Sequence, residues 1–73
     1  MNIIHILAIT GGENVNIKHI REKKNFSQNQ LADLVGVDRS AIAKWETGKA
    51  KPTADNLLKL AEVLDCSIDE LLR

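Results

Sequence analysis

Ser27-Gln28-Asn29-Gln30-Leu31-Ala32-Asp33-Leu34-Val35-Gly36-Val37-Asp38-Arg39-Ser40-Ala41-Ile42-Ala43-Lys44-Trp45 is the stretch that decides the fold. Ser27 and Gln30 have the Ser-x-x-Gln spacing of a capping box, in which hydroxyl and amide satisfy each other's backbone N–H groups. Leu31, Leu34 and Val35 then share one helical face. Gly36 stops the helix at a position suited to positive φ, and Asp38 offers an N-cap to a following helix. The stretch predicts two short helices joined by a turn of three or four residues at Gly36-Val37-Asp38. Ala32 is small where the helices approach, and Val37, Ile42 and Trp45 point to the core.

Working outward, residues 16–24 read as a helix with Ile17 and Ile20 as its apolar stripe. The helix begun at Asp38 ends before Gly48. Pro52 and Thr53 open another, whose Leu57, Leu60, Ala61 and Leu64 recur at i, i+3, i+4 and i+7. Ser67-Ile68-Asp69-Glu70 is a second capping box and starts a last helix with Leu71 and Leu72. Seventy-three residues suffice for one small domain. The expectation is an all-α fold, a compact five-helix bundle over residues 15–73.

Residues 1–14 differ from the rest. Ile3, Ile4, Ile6, Leu7 and Ile9 form a β-branched run closed by Gly11-Gly12. The run is too short to span a bilayer and lacks the marks of a signal peptide. It reads as a short strand or arm, which needs the helical body or a twin in a dimer as partner. A genetic reading stands beside it. Gly11-Gly12-Glu13 is encoded by GGN-GGN-GAR, which can hold a ribosome-binding sequence, and Val15 could be a GTG start; residues 1–14 would then be translated leader.

Ten basic and ten acidic residues cancel, but their placement does not. From Val15 to Lys51 eight bases stand against four acids, an excess of four positive charges. From Pro52 onward two bases stand against five acids, an excess of three negative charges. One end of the domain can face phosphates while the other faces away. Lys18, Arg21, Lys23 and Lys24 read as a solvated face with a distant steering effect.

The helix after Asp38 sorts into two faces at about 100° per residue. Ala41, Ile42 and Trp45 fall inward. Arg39, Ser40, Ala43, Lys44 and Thr47 fall on the opposite side, where their types suit a DNA major groove. Arginine can bond guanine bidentately, serine bonds either base type, and alanine can touch a thymine methyl. Phosphate contacts would flank this face. Gln28 lies in the first turn of its helix, where free N–H groups favour an anion, and Lys49 and Lys51 lie in the following loop. Such contacts set register and carry the salt dependence of binding.

The pattern Ser27-Gln28-x-x-Leu31-Ala32-x-x-x-Gly36-Val37-x-x-x-x-Ile42-x-x-Trp45-Glu46-x-Gly48-x-x-x-Pro52, continued by Leu57-x-x-Leu60-Ala61-x-x-Leu64 to Leu71, resembles the XRE/Cro-type helix-turn-helix family. That family includes phage repressors, restriction controller proteins and antitoxins. The resemblance covers about residues 16–72. It implies a bundle of the phage-repressor DNA-binding type that binds double-stranded DNA as a homodimer and regulates transcription, as a repressor first of all. By position it puts the base-reading residues at Arg39, Ser40, Ala43 and Lys44, and the phosphate-binding residues at Gln28, Thr47, Lys49 and Lys51. It does not account for residues 1–14. Asp38, if it does not cap, would repel phosphate.

Other readings are weaker. Trp45 lies on the inner face and reads as core. Glu46 reads as a structural partner to a nearby base, not a catalytic acid. The single cysteine, Cys66, reads as a small packing residue and fits a reducing cytoplasm. No nucleophile–base pair, phosphate loop or metal-ligand spacing points to an enzyme, a cofactor or a metal, and nothing points to a membrane. The serious alternative is a protein-interaction module, such as an antitoxin whose main partner is a toxin; a third is a fragment of a larger regulator. The last helix and the N-terminal arm are the expected dimer contacts.

Overall fold

The computed structural model describes residues 15–73. The strand or arm expected over residues 1–14 lies outside the described residues. Five helices follow one another: α1 (Val15–Lys23), α2 (Gln28–Val35), α3 (Arg39–Thr47), α4 (Ala54–Leu64) and α5 (Ile68–Leu71). No strand occurs among the described residues. The all-α five-helix expectation is met.

The helix boundaries follow from local chemistry. At α2, Ser27 Oγ accepts from Gln30 N at 3.0 Å while Ser27 N donates to Gln30 Oε1 at 2.8 Å, so the expected capping box forms. Gly36 ends α2 at φ 89°. The second box, between Ser67 and Glu70, forms in the same way. The Ser67 N–H holds the Glu70 carboxyl below its ordinary pKa. Three details differ from the sequence reading. Pro52 precedes α4, and Thr53 is its N-cap, accepting from Asn56 N at 3.2 Å. Asp38 has the extended N-cap backbone of α3, but its side chain makes no capping hydrogen bond. The sequence predicts a first helix reaching Lys24; α1 stops at Lys23, where Asn25 turns left-handed at φ 66°.

One apolar core holds the helices together. Ile17, Leu31, Ala32, Val35, Ile42, Trp45, Leu60, Leu64 and Leu71 are buried and form one cluster. Every helix contributes to it. Val37, Ala41 and Cys66 pack against it from its margin. Burial pushes the Cys66 thiol upward, with help from the Glu70 and Asp65 charges and against that of Lys24; a packing role fits this setting.

Leu34 departs from the expected apolar face. It shares a helical face with Leu31 and Val35, yet it is 57% exposed. In an eight-residue helix the buried stripe is narrow, and Leu31, Ala32 and Val35 fill it. Leu72 is exposed as well, whereas Leu71 is fully buried. Of the two leucines read into the last helix, an expected dimer contact, only Leu72 offers surface.

Two substitutions separate packing from backbone. Ile42→Ala opens a cavity in the fully buried centre and should cost about 2–5 kcal/mol by urea unfolding. Gly36→Ala meets no atom within 4 Å, so only its left-handed backbone resists, and the cost should be about 1–2 kcal/mol.

Candidate nucleic-acid interface

The turn at Gly36-Val37-Asp38 sets α3 against α2 and turns one face of α3 to solvent. Gly36 N and Val37 N both donate to Ala32 O, at 2.8 and 3.0 Å, closing α2 as the chain reverses. Ile42 and Trp45 then anchor α3 in the core. Arg39, Ser40, Lys44 and Thr47 are left exposed and Ala43 half-buried. Together with Lys49 they line a shallow depression of about 260 Å³. Six of the eight residues expected from sequence are thus brought to one concave patch. Gln28 borders it: its Oε1 accepts from Arg39 Nη1 at 3.4 Å. Lys51 is exposed beyond the rim and does not line the depression.

The patch is built to donate. Arg39, Lys44 and Lys49 are cationic, and α2 begins beside them. By helix geometry the N–H groups of Gln28 and Asn29 have no acceptor within α2. The loop carrying Lys49 is fixed by its backbone: Lys49 N and Ala50 N donate to Lys44 O at 2.9 and 3.3 Å, around Gly48 at φ 80°. Thr47 is less available. Its hydroxyl donates to Ala43 O at 3.0 Å, and a hydroxyl has one proton. To donate to a phosphate, Thr47 must give up that bond.

Beneath the patch lies a feature the charge pattern concealed. Arg21 is only 8% exposed and Glu46 only 6%. Arg21 Nε donates to Glu46 Oε2 at 2.5 Å and Nη2 to Oε1 at 3.2 Å, a bidentate pair joining α1 to α3. Arg21 Nη1 also donates to Phe26 O at 2.8 Å, tying down the loop that leads into α2. Gln28 Nε2 donates to Glu46 Oε1 at 2.9 Å. The Glu46 hydrogen bond, together with its charge, holds the Arg21 guanidinium above its ordinary pKa despite burial.

The expectation that Arg21 belongs to a solvated face is therefore corrected; the expectation that Glu46 partners a base is met. A signal was present in the sequence. Arg21 follows Ile17 by four residues, and Glu46 follows Ile42 by four. Each charge sits on the buried stripe of its helix, where an ion stays only if paired.

Comparisons with known proteins agree with this geometry. A helix-turn-helix family model matches residues 17–71, and the chain belongs to that family. It is similar to the HTH-type transcriptional activator BcrR of Enterococcus faecalis, 41% identical over 59 residues, covering 81% of this chain and 29% of BcrR. It is similar also to the cryptic phage CTXphi transcriptional repressor RstR of Vibrio cholerae, 43% identical over 51 residues, covering 70% and 46%. Repressor protein C2 of Salmonella phage P22 is 40% identical over 57 residues, covering 78% and 26%. The chain spans less than half the length of these curated relatives. Among solved structures, the restriction-modification controller protein C.AhdI from Aeromonas hydrophila superposes with a TM-score of 0.75 at 38% identity, covering 80% of this chain and 88% of that one. The P22 c2 repressor in complex with a synthetic operator gives 0.74 at 40%, covering 78% and 86%.

Among the described residues no group of His, Cys, Asp and Glu could hold a metal ion, and no helix is long and apolar enough to cross a membrane.

The ion pair gives a sharp stability test. Glu46→Ala leaves a buried guanidinium without its counter-ion and should cost about 3–5 kcal/mol by urea unfolding. Replacing both partners, as in Arg21→Met/Glu46→Leu, should cost far less than the single change, because no charge is then left buried.

Proposed function

We propose that this chain is the DNA-binding unit of a transcriptional regulator, and that it reads double-stranded DNA by inserting α3 into the major groove. The observation that carries the reading is the single concave patch that gathers Arg39, Ser40, Ala43, Lys44, Thr47 and Lys49 beside the start of α2. Arg39, Ser40, Ala43 and Lys44 face the base edges. Arg39 supplies the forked donor that matches guanine, and Lys44 a second cation five residues on. Ala43 keeps the helix surface low enough for close approach. Thr47 and Lys49 within the depression, Gln28 at its border and Lys51 outside it are assigned to the phosphates. Asp38, free of a capping bond, stands as an unfavourable charge at the edge of this surface.

A helix-turn-helix of this kind reads a half-site of a few base pairs, so two copies on a palindrome give the specificity a regulator needs. We assign a homodimer on DNA, its two α3 helices about 34 Å apart, acting in the cytoplasm where the DNA is reached. The exposure of Leu72 beside the buried Leu71 supports assigning the last helix as a contact. Repression is the mode we assign. Two of the three named relatives are repressors and one an activator, and these names favour gene regulation over an antitoxin whose main partner is a toxin. Residues 1–14, read as an N-terminal arm or strand or as translated leader, are assigned outside the reading domain of residues 15–73. No step of this function calls for catalysis or a cofactor.

Selection of the folded chain against random duplexes, followed by gel-shift titration, tests the reading. A preferred site should emerge, with half-site symmetry; a folded protein that prefers no sequence at low salt contradicts it. Arg39→Ala should erase preference at one base pair and cost about 1–3 kcal/mol on the preferred site. Lys49→Ala should weaken every sequence alike and lower the slope of log K against log salt by about one. An even loss for Arg39→Ala, with preference unchanged, removes it from base reading.

A further inference from the structure

The buried ion pair and the exposed face of α3 are joined through one side chain, Gln28. Its Nε2 donates to Glu46 Oε1 at 2.9 Å, and its Oε1 accepts from Arg39 Nη1 at 3.4 Å. A primary amide donates from nitrogen and accepts at oxygen. An ionised carboxylate only accepts, and a guanidinium only donates. Between Glu46 and Arg39, Gln28 can therefore bridge in one orientation alone: NH₂ inward, oxygen outward. Glu46 in turn has no freedom to turn away, because Arg21 Nε and Nη2 clamp both its oxygens in the interior.

We infer that Glu46 is a positioning residue for DNA reading: it fixes the Gln28 amide, and Gln28 fixes where the Arg39 guanidinium stands. A carboxylate that never reaches DNA thereby shapes preference at the base pair Arg39 reads. The inference rests on the reading of α3 given above. The outer bond is long and exposed, so it biases the guanidinium rather than locking it. That bias matters because bidentate pairing is demanding in angle as well as distance, and a side chain already held near its bound pose loses less freedom on binding. Without Glu46 the amide is free to turn its NH₂ outward, donor against donor, and drive Arg39 from the position. The second Nε2 proton stays open to a phosphate, so Gln28 would link backbone contact to base contact.

The test uses the full chain and a site selected from random duplexes. The base pair read by Arg39 is the one whose preference Arg39→Ala removes. Two variants follow: Gln28→Met, which leaves the ion pair intact, and Arg21→Met/Glu46→Leu, which replaces the pair with apolar side chains and leaves no unpaired charge. Each should reduce preference at that base pair from about tenfold or more to within about twofold of the Arg39→Ala level, while preferences at other positions persist. In the free protein, the Arg39 Nε–H resonance should move in both variants, and the Gln28 side-chain amide resonances should move in the double variant. Wild-type preference, or an unmoved Arg39 resonance, in the folded double variant overturns the assignment. Should that variant not fold, the same two readouts in Gln28→Met decide. A wild-type chain with no preferred site defeats the DNA reading, and the free-protein spectra then decide the positioning role by themselves.

Discussion

The bidentate pair between Arg21 and Glu46 is the contact on which the working parts of this domain converge. It joins α1 to α3, and through the Phe26 carbonyl it also fixes the loop that delivers Ser27 to the start of α2. Apolar side chains could fill the same space, and a buried ion pair is weak evidence for stability as such. What the pair adds is direction. An apolar core tolerates small rotations of α3, whereas a two-pronged hydrogen-bonded contact holds both its angle and its depth. Orientation of α3 is what the proposed function requires.

The apolar cluster supplies the mass of the fold around this point. Ile17, Leu31, Ile42, Leu60, Leu64 and Leu71 are fully buried, one or two from each helix. A chain this short has little stability to spare, and caps carry much of the definition of its ends. Ser27, Thr53 and Ser67 each satisfy first-turn amides. The result is a frame whose chain carries excess positive charge from Val15 to Lys51 and excess negative charge beyond it. The positive half holds α2 and α3, which reconciles zero net charge with a nucleic-acid partner.

Most of the frame was legible in the sequence because its signals are local. Capping boxes, Gly36, Gly48 and the i, i+3, i+4 stripes act within a few residues, and the structure follows them. The exposed face of α3 was legible for the same reason: once Ile42 and Trp45 face inward, Arg39, Ser40 and Lys44 must face out. Contacts between helices were not legible in this way. Arg21 and Glu46 are 25 residues apart, and charge type alone suggested solvent for Arg21; only their stripe positions betray burial. Leu34 failed in the opposite sense, since a hydrophobic residue on the apolar side of a short helix can still lie past the edge of its neighbours. The orientation of Gln28 depends on both Glu46 and Arg39, so no local pattern could have shown it.

On this view α3 and its margin, fixed from below by Arg21 and Glu46, form the surface that meets DNA. The most direct measurement is an amide and side-chain NMR titration of the labelled chain with its selected duplex. The largest shifts should fall on Gln28, Arg39, Ser40, Lys44 and Lys49, with the acidic outer surface of α4 and α5 unmoved apart from any dimer contact. Shifts centred on that acidic surface, with Arg39 and Lys44 silent, would contradict it.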